Sequence, residues 1–337
     1  MTAQTNTLLD ALTVKGVLIS VSIRYWRARK KLRPEDLGLD PDTVDDRLFS
    51  LGHKKLLPKE ALAKLALIES RAHALVEANT FPFLGGIAHY LPNAKLQDLT
   101  TKLEALRDEF DGCRDEFIAR YGRLRQQALD EWRRAAETLT DDPERMLGVI
   151  ADAFPDVDRI ENKFSFDIRT FQIAVPEAVP QAQLVELGTQ QEVIEARRQA
   201  VASARHEIEA SCRDFIGDCV ATLREETAKL CDEMLATINS TGYVHQKTLN
   251  RLVKFIDQFK ELNFVNDTEM ERQLEKMRGE FLSRTAQEYR DSDTARGHLV
   301  KGLRGLRRRA AEMAHEDAGE IVENFGRLGQ RRFQLAA

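Results

Sequence analysis

Val17, Ile19, Val21, Ile23 and Tyr25 alternate with Leu18, Ser20, Ser22, Arg24 and Trp26. A period of two in β-branched residues predicts a half-buried strand. The helical spacing of Leu8, Leu9 and Leu12 keeps a helix over 17–25 open as the alternative. Pro58-Lys59-Glu60 then opens a helix to about Ala78, because proline is tolerated in a first turn and an acid suits that end of the helix dipole. In Phe81 to Pro92, the Gly85-Gly86 pair separates two short apolar runs and predicts a hairpin or a tight loop.

From Leu96 the period changes. Leu99, Leu106 and Cys113 share one seven-residue spacing, and Leu103, Phe110, Phe117 and Leu124 share another. Interleaved at three and four, they form a heptad seam on a helix that fades near Thr138, a length of roughly 60 Å at 1.5 Å per residue. Asp141-Asp142-Pro143-Glu144 caps a short helix to about Phe154. Phe164, Phe166 and Ile168, then Phe171, Ile173 and Val175, read as a second strand able to pair with residues 17–25.

All nine prolines lie at or before Pro180, so the last 157 residues contain no strong helix breaker. Leu187, Ile194, Val201, Ile208 and Phe215 form another heptad line, which slips to Ile216, Leu223 and Leu230. Its companion positions, Gln191, Arg198 and Arg205, are polar, so part of this helix is expected to face solvent or a polar partner. Helices over about 246–262 and from 268 into the 290s follow, and Gly297, Gly302 and Gly305 weaken the segment before Arg307. The predicted fold is mainly α: a long antiparallel helical hairpin or coiled-coil bundle, from 96–139 and 181–337, with a small α+β head from 1–95 and 140–180. The helices at 96–138 and 183–239 would be the hairpin, and the seam also offers a surface for self-association.

Charge adds asymmetry to this picture. Arg24, Arg27, Arg29, Lys30, Lys31 and Arg33 form a run with no acid, and residues 294–333 carry nine basic against five acidic residues. Taking those +6 and +4 segments from the total of −5 leaves −15 on the rest, which points to an anionic partner or to pairing within the molecule. The run also interleaves Tyr25 and Trp26, so phosphate neutralisation with base stacking is one reading and a solvated turn the other. Lys301, Arg304, Arg307, Arg308 and Arg309 are the second set of candidate anion contacts, three of them on one helical stripe. Phe81, Phe83, Leu84, Ile87 and Tyr90 are a candidate partner-binding loop.

Catalytic chemistry is not visible. The chain carries no phosphate-binding Gly-Lys-Ser/Thr loop, no His-Glu-x-x-His and no Cys-x-x-Cys, so no cofactor, metal or catalytic residue is assigned. Asp291-Ser292-Asp293-Thr294 reads as a capped helix boundary. Cys113, Cys212, Cys219 and Cys231 read as small hydrophobes of a reduced, cytoplasmic protein without a secretion signal or membrane span.

Three segments resemble a known family: Leu12-Thr13-Val14-Lys15-Gly16-Val17 leading into Trp26–Leu32, Leu51-Gly52-His53-Lys54-Lys55-Leu56-Leu57, and Lys247-Thr248-Leu249 through Leu262–Asp267. They resemble the bacterial and phage family called domain of unknown function 3150, over most of the chain. The resemblance implies a place beside a MoxR-type AAA+ ATPase and a von Willebrand A-domain protein like the cobalt-chelatase subunits. It therefore implies a non-enzymatic accessory or adaptor subunit of a remodelling or chelatase-like assembly. The alternatives are a nucleic-acid-binding coiled-coil protein of phage or defence origin and a helical protein that inserts Phe81–Leu91 into a membrane. The shortness of that apolar segment opposes the last.

Overall fold

The computed structural model describes residues 7–37, 50–156, 159–174, 191–316 and 318–334. Val175 and Leu187, counted above in a strand and a heptad line, lie outside the described residues. The fold is mainly helical, with ten α-helices among the described residues and a small four-stranded antiparallel sheet. The chain divides into two compact units, one of residues 1–19, 79–97 and 170–337 and the other of residues 20–78 and 98–169.

Helix α1 (Thr7–Lys15) runs directly into strand β1 (Gly16–Arg24), so residues 17–24 are extended. β4 (Phe81–Phe83) and β5 (Ala88–Pro92) form the expected hairpin, with Gly85 and Gly86 at φ +66° and +86° in its turn. Those angles lie in the left-handed region that glycine enters at little cost. β5 pairs antiparallel with β1, Val17 opposite Leu91 and Ile19 opposite His89. β6 (Ser165–Phe171) takes the far side of β1, as the second alternating segment predicts, but it ends before Ile173.

In the first unit, one hydrophobic cluster gathers α1, the hairpin and five helices of the C-terminal half. These are the later part of α5 (Gln191–Thr241), then α6 (Gln246–Leu262), α7 (Thr268–Phe281), α9 (Asp293–Ala314) and α10 (Gly319–Gln334). The short α8 (Ala286–Arg290) adds Ala286 and Tyr289. The helix expected from 268 into the 290s is thus three helices. Thr285 closes a capping box with Glu288, and Ser292 accepts the Ala295 N–H at 3.2 Å to start α9. Such caps satisfy the unpaired amides of a new helix start. The Asp291–Thr294 motif is therefore a helix start.

The glycines of α9 do not interrupt it. At Gly302 an added Cβ would lie 2.6 Å from the Phe281 ring, so the missing side chain lets that ring seat against the helix. The expected weakening before Arg307 is overridden by tertiary packing, with Leu299, Leu303, Leu306 and Ala310 all buried. α9 is also the antiparallel partner of α5 within this unit. Arg224 reaches the Met313 carbonyl and Asp232 pairs with Arg307, so the numbers fall on one helix as they rise on the other.

In the second unit, the seam of α3 (Asn93–Leu139) buries Leu99, Leu103, Leu106, Phe110 and Phe117, while Cys113 and Leu124 of the same spacing are half-buried. Among the described residues, its cover there is not another long helix. α2 (Ala63–Glu77) runs antiparallel to it, tied by Lys64–Glu116 at 3.1 Å and Arg71–Glu109 at 2.8 Å. Phe110 meets Phe166 of β6, and Phe117 meets Phe164 and Trp26. The heptads group 96–139 with the C-terminal helices; the compact units group 98–139 with residues 20–78 and 140–169. The physical reason is that aromatic side chains from strand and loop fill the space a partner helix would occupy.

Replacing Phe110 by Asp places an unpaired charge at a fully buried position against Phe166. We expect a loss of about 3–5 kcal/mol, the cost of truncating a buried Phe, or more. Urea unfolding followed by circular dichroism measures it, and an unchanged midpoint would remove the packing account of α3.

Candidate functional site

The basic run Arg24–Arg33 is built around a sharp change of direction. Ala28, buried and small, adopts φ +49°, a conformation uncommon for a residue with a side chain. Beyond it the chain forms β2 (Arg29–Lys31), which pairs antiparallel with β3 (His53–Lys55). The register sets Arg29 opposite Lys55, Lys30 opposite Lys54 and Lys31 opposite His53. Like charges placed directly opposite destabilise a strand pair. The ribbon is held all the same, by bonds from Leu56 N–H to Ala28 O at 2.7 Å, Leu32 N–H to Gly52 O at 3.0 Å and Trp132 Nε1–H to Lys55 O at 3.1 Å. One of its cations is neutralised in place: Lys54 turns inward onto Asp36 at 2.8 Å, with both side chains under a tenth exposed.

Two arginines of the run are engaged. Arg24 pairs with Asp167 at 3.4 Å on the surface. Arg27 grips Glu69 through two bonds of 2.8 and 2.6 Å, donates to the Tyr25 hydroxyl and lies 3.9 Å over the Tyr25 ring. Arg33 is exposed, and its N–H donates to Asp36 at 2.9 Å.

Arg29 and Lys30 are exposed and line a pocket of about 700 Å³ with Trp26. Its other wall comes from the end of α4 (Pro143–Asp152) and the turn after it, with Asp152, Phe154 and Asp156, and from Arg159, Asn162 and Lys163. Trp26 is half-buried and braced on three sides. Its ring centroid lies 5.7 Å from Tyr121 (edge-on), 5.9 Å from Phe154 and 6.4 Å from Phe117. The Tyr121 hydroxyl donates to the Pro155 carbonyl at 2.7 Å and so fixes the wall behind Trp26; burial pushes that phenol up to about 12. The four cations outnumber the two carboxylates, and Arg159 stands 3.9 Å from Asp156.

Arg159, Asn162 and Lys163 carry no sequence signal for a site. They are isolated polar residues some 130 positions from Arg29, and no local spacing announces that the fold brings them together.

The second basic set, Lys301–Arg309, lies in the other compact unit. Arg307 pairs with Asp232 at 2.8 Å, Arg308 with Glu312 at 3.8 Å and Arg309 with Glu316 at 3.0 Å. Arg304, Arg307 and Arg308 border a hollow of about 580 Å³ with Asp232 and Asn239, and Lys301 borders another with His298. Much of this set therefore serves helix pairing.

The proposed partner loop needs correction. Phe81, Phe83 and Tyr90 belong to the core, with Phe83 packed edge-on to Phe215 at 4.6 Å and Phe81 and Tyr90 against Phe264. Only Leu84 and Ile87, at the hairpin turn, are exposed. Alternation in the two strands turns the aromatic side chains inward and leaves the turn outside.

Cys212, Cys219 and Cys231 are buried, and burial pushes their thiols up, to about 12 for Cys212 and Cys231; Cys113 is half-buried. Among the described residues, no group of three or more His, Cys, Asp or Glu side chains is placed to hold a metal ion. No described helix is long and apolar enough to cross a membrane.

These features define a mainly helical, two-unit protein with a basic, aromatic-floored pocket on one unit. The chain belongs to the family described as protein of unknown function (DUF3150), whose profile matches residues 13–290. That match ends before α9 begins. The chain matches no curated protein and no solved structure.

The Arg27–Glu69 pair has a definite pH signature. The hydrogen bonds from Arg27 hold the Glu69 carboxyl below its ordinary value. A depressed folded-state value contributes stability above the ordinary carboxylate range and loses it as pH falls through the depressed value. Glu69→Gln should therefore lower stability at pH 7 by about 1 kcal/mol or less, as the pair is partly solvent-exposed. The difference should shrink towards zero below about pH 4. Thermal melts of both proteins across pH 3–7 test this; a gap independent of pH would contradict it.

Proposed function

We propose that this protein is a non-enzymatic adaptor that docks partner proteins through the first half of α5. The observation that carries this reading is the unequal burial of that helix. From Cys212 onward it buries Phe215, Ile216, Cys219, Val220 and Leu223, whereas residues 193–211 contain no buried side chain among those described. Val193 is 46% exposed, and Val201 is half-buried on the same heptad line as Phe215. About 20 residues of helix span some 30 Å, and helices of that length draw most of their stability from packing. A partner that covers this face would supply it.

On the resemblance, the partners would be a MoxR-type AAA+ ATPase and an A-domain protein. ATP hydrolysis would belong to the ATPase, since this chain carries no phosphate-binding Gly-Lys-Ser/Thr loop. The adaptor would present this helical surface to the assembly.

The test is purification of the tagged full-length protein from its own host with ATP present, followed by mass spectrometry, beside the Val193→Asp/Val201→Asp variant. We expect stoichiometric recovery of an AAA+ ATPase and an A-domain protein with the native sequence. The variant should recover at least about tenfold less, with unchanged circular dichroism. Recovery of the chain alone, or equal recovery by the variant, would overturn the reading.

A further inference from the structure

We infer that the β2–β3 ribbon and its adjoining pocket form a binding site for single-stranded nucleic acid. Phosphates would lie on Arg29, Lys30, Arg159 and Lys163, and one unstacked base would sit against Trp26. This site is in the second compact unit and does not depend on the adaptor reading of α5.

Four observations converge. First, cations from β2, from Arg159 and from the turn at Lys163 line one pocket, and among the described residues no ion pair engages Arg29, Lys30 or Lys163. Second, Arg29 opposite Lys55 is a like-charged pair in a three-residue ribbon, which an anion between the side chains would relieve. Third, Trp26 is an aromatic already fixed by Tyr121, Phe154 and Phe117, so a base stacking on its remaining surface need not immobilise it. Fourth, a pocket of about 700 Å³ suits a nucleotide-sized ligand, being within the range of ordinary small-molecule sites.

The acids refine the ligand class. Asp152 and Asp156 line the same pocket as the cations and offer acceptors for an exocyclic amino group of a base while phosphates stay on the cations. A base inside a duplex cannot enter such a pocket without being unstacked and unpaired, which favours a single strand. An acidic peptide would satisfy the cations but leave the aromatic wall and both carboxylates without a role.

The experiment uses the full-length protein and a fluorescein-labelled oligonucleotide of about 12 nucleotides, within the site size of single-strand binders. Anisotropy is measured at several salt concentrations, with the matching duplex and polyglutamate as competitors. Tryptophan emission is compared between the parent and Trp26→Phe, so that quenching at Trp26 is read with the Trp132–Lys55 bond of the ribbon intact. We expect at least about tenfold preference for the single strand over the duplex, and quenching of Trp26 on binding. Arg29→Gln/Lys30→Gln should weaken binding and reduce the salt slope by about 1.4, at about 0.7 per lost phosphate contact. The proposal is overturned by any of three results: equal competition by polyglutamate, equal binding of the duplex, or a natively folded Arg29→Gln/Lys30→Gln variant that binds as the parent does.

Discussion

The helices of the first compact unit meet around a buried ion pair. Arg224 of α5 donates to Asp267 at 2.7 Å and to the Met313 carbonyl at 2.6 Å, and both charged side chains are almost fully enclosed. Asp267 in turn accepts the Met270 N–H at 3.2 Å as the cap of α7, while its own N–H donates to Asn263 Oδ1 at 2.8 Å at the end of α6. One guanidinium thus joins α5, the α6–α7 corner and the end of α9. Desolvating two charges is expensive, so such a pair adds little net stability over an apolar contact but penalises any arrangement that separates them. It specifies which helices meet, while the surrounding Leu, Ile and Phe side chains supply the hydrophobic driving force.

The second unit solves its packing differently. Its α3 seam is sealed by rings: Phe110 on Phe166, and Phe117 and Tyr121 on Trp26. The same Trp26 that closes this core also floors the basic pocket, so the packing that stabilises the unit presents an aromatic surface to a ligand. Arg27, the next residue, is taken up by Glu69 and Tyr25, while Arg29 and Lys30, past the turn at Ala28, face outward.

How much of this was legible in the sequence follows from what periodicity encodes. The spacing of Leu103, Phe110 and Phe117 reports a buried face, and the alternation at Val17–Ile23 reports a strand; both are local properties, and both are observed. Periodicity does not report what covers a face: it offers 96–138 as the antiparallel partner of α5, whereas Arg224 and Asp232 meet α9. The glycines of α9 looked like breaks because their neighbours in space, Phe281 above all, are absent from a linear reading. For the site, the run Arg24–Arg33 was visible as charge. Its division into engaged and outward-facing members depends on Glu69, Asp167 and Asp36, and its completion depends on Arg159 and Lys163. Arg224 and Asp267 carry no sequence signal at all, being an ordinary helix arginine and a helix-capping aspartate 43 residues apart.

The most direct measurement is a double-mutant cycle on the buried pair, with Arg224→Met, Asp267→Asn and the double variant compared by urea unfolding. Each single change leaves an uncompensated buried group, so each should cost about 3–5 kcal/mol. The double variant should cost far less than the sum, because no lone charge remains. Additivity within about 0.5 kcal/mol would contradict the claim that this pair fixes the arrangement of helices in the unit.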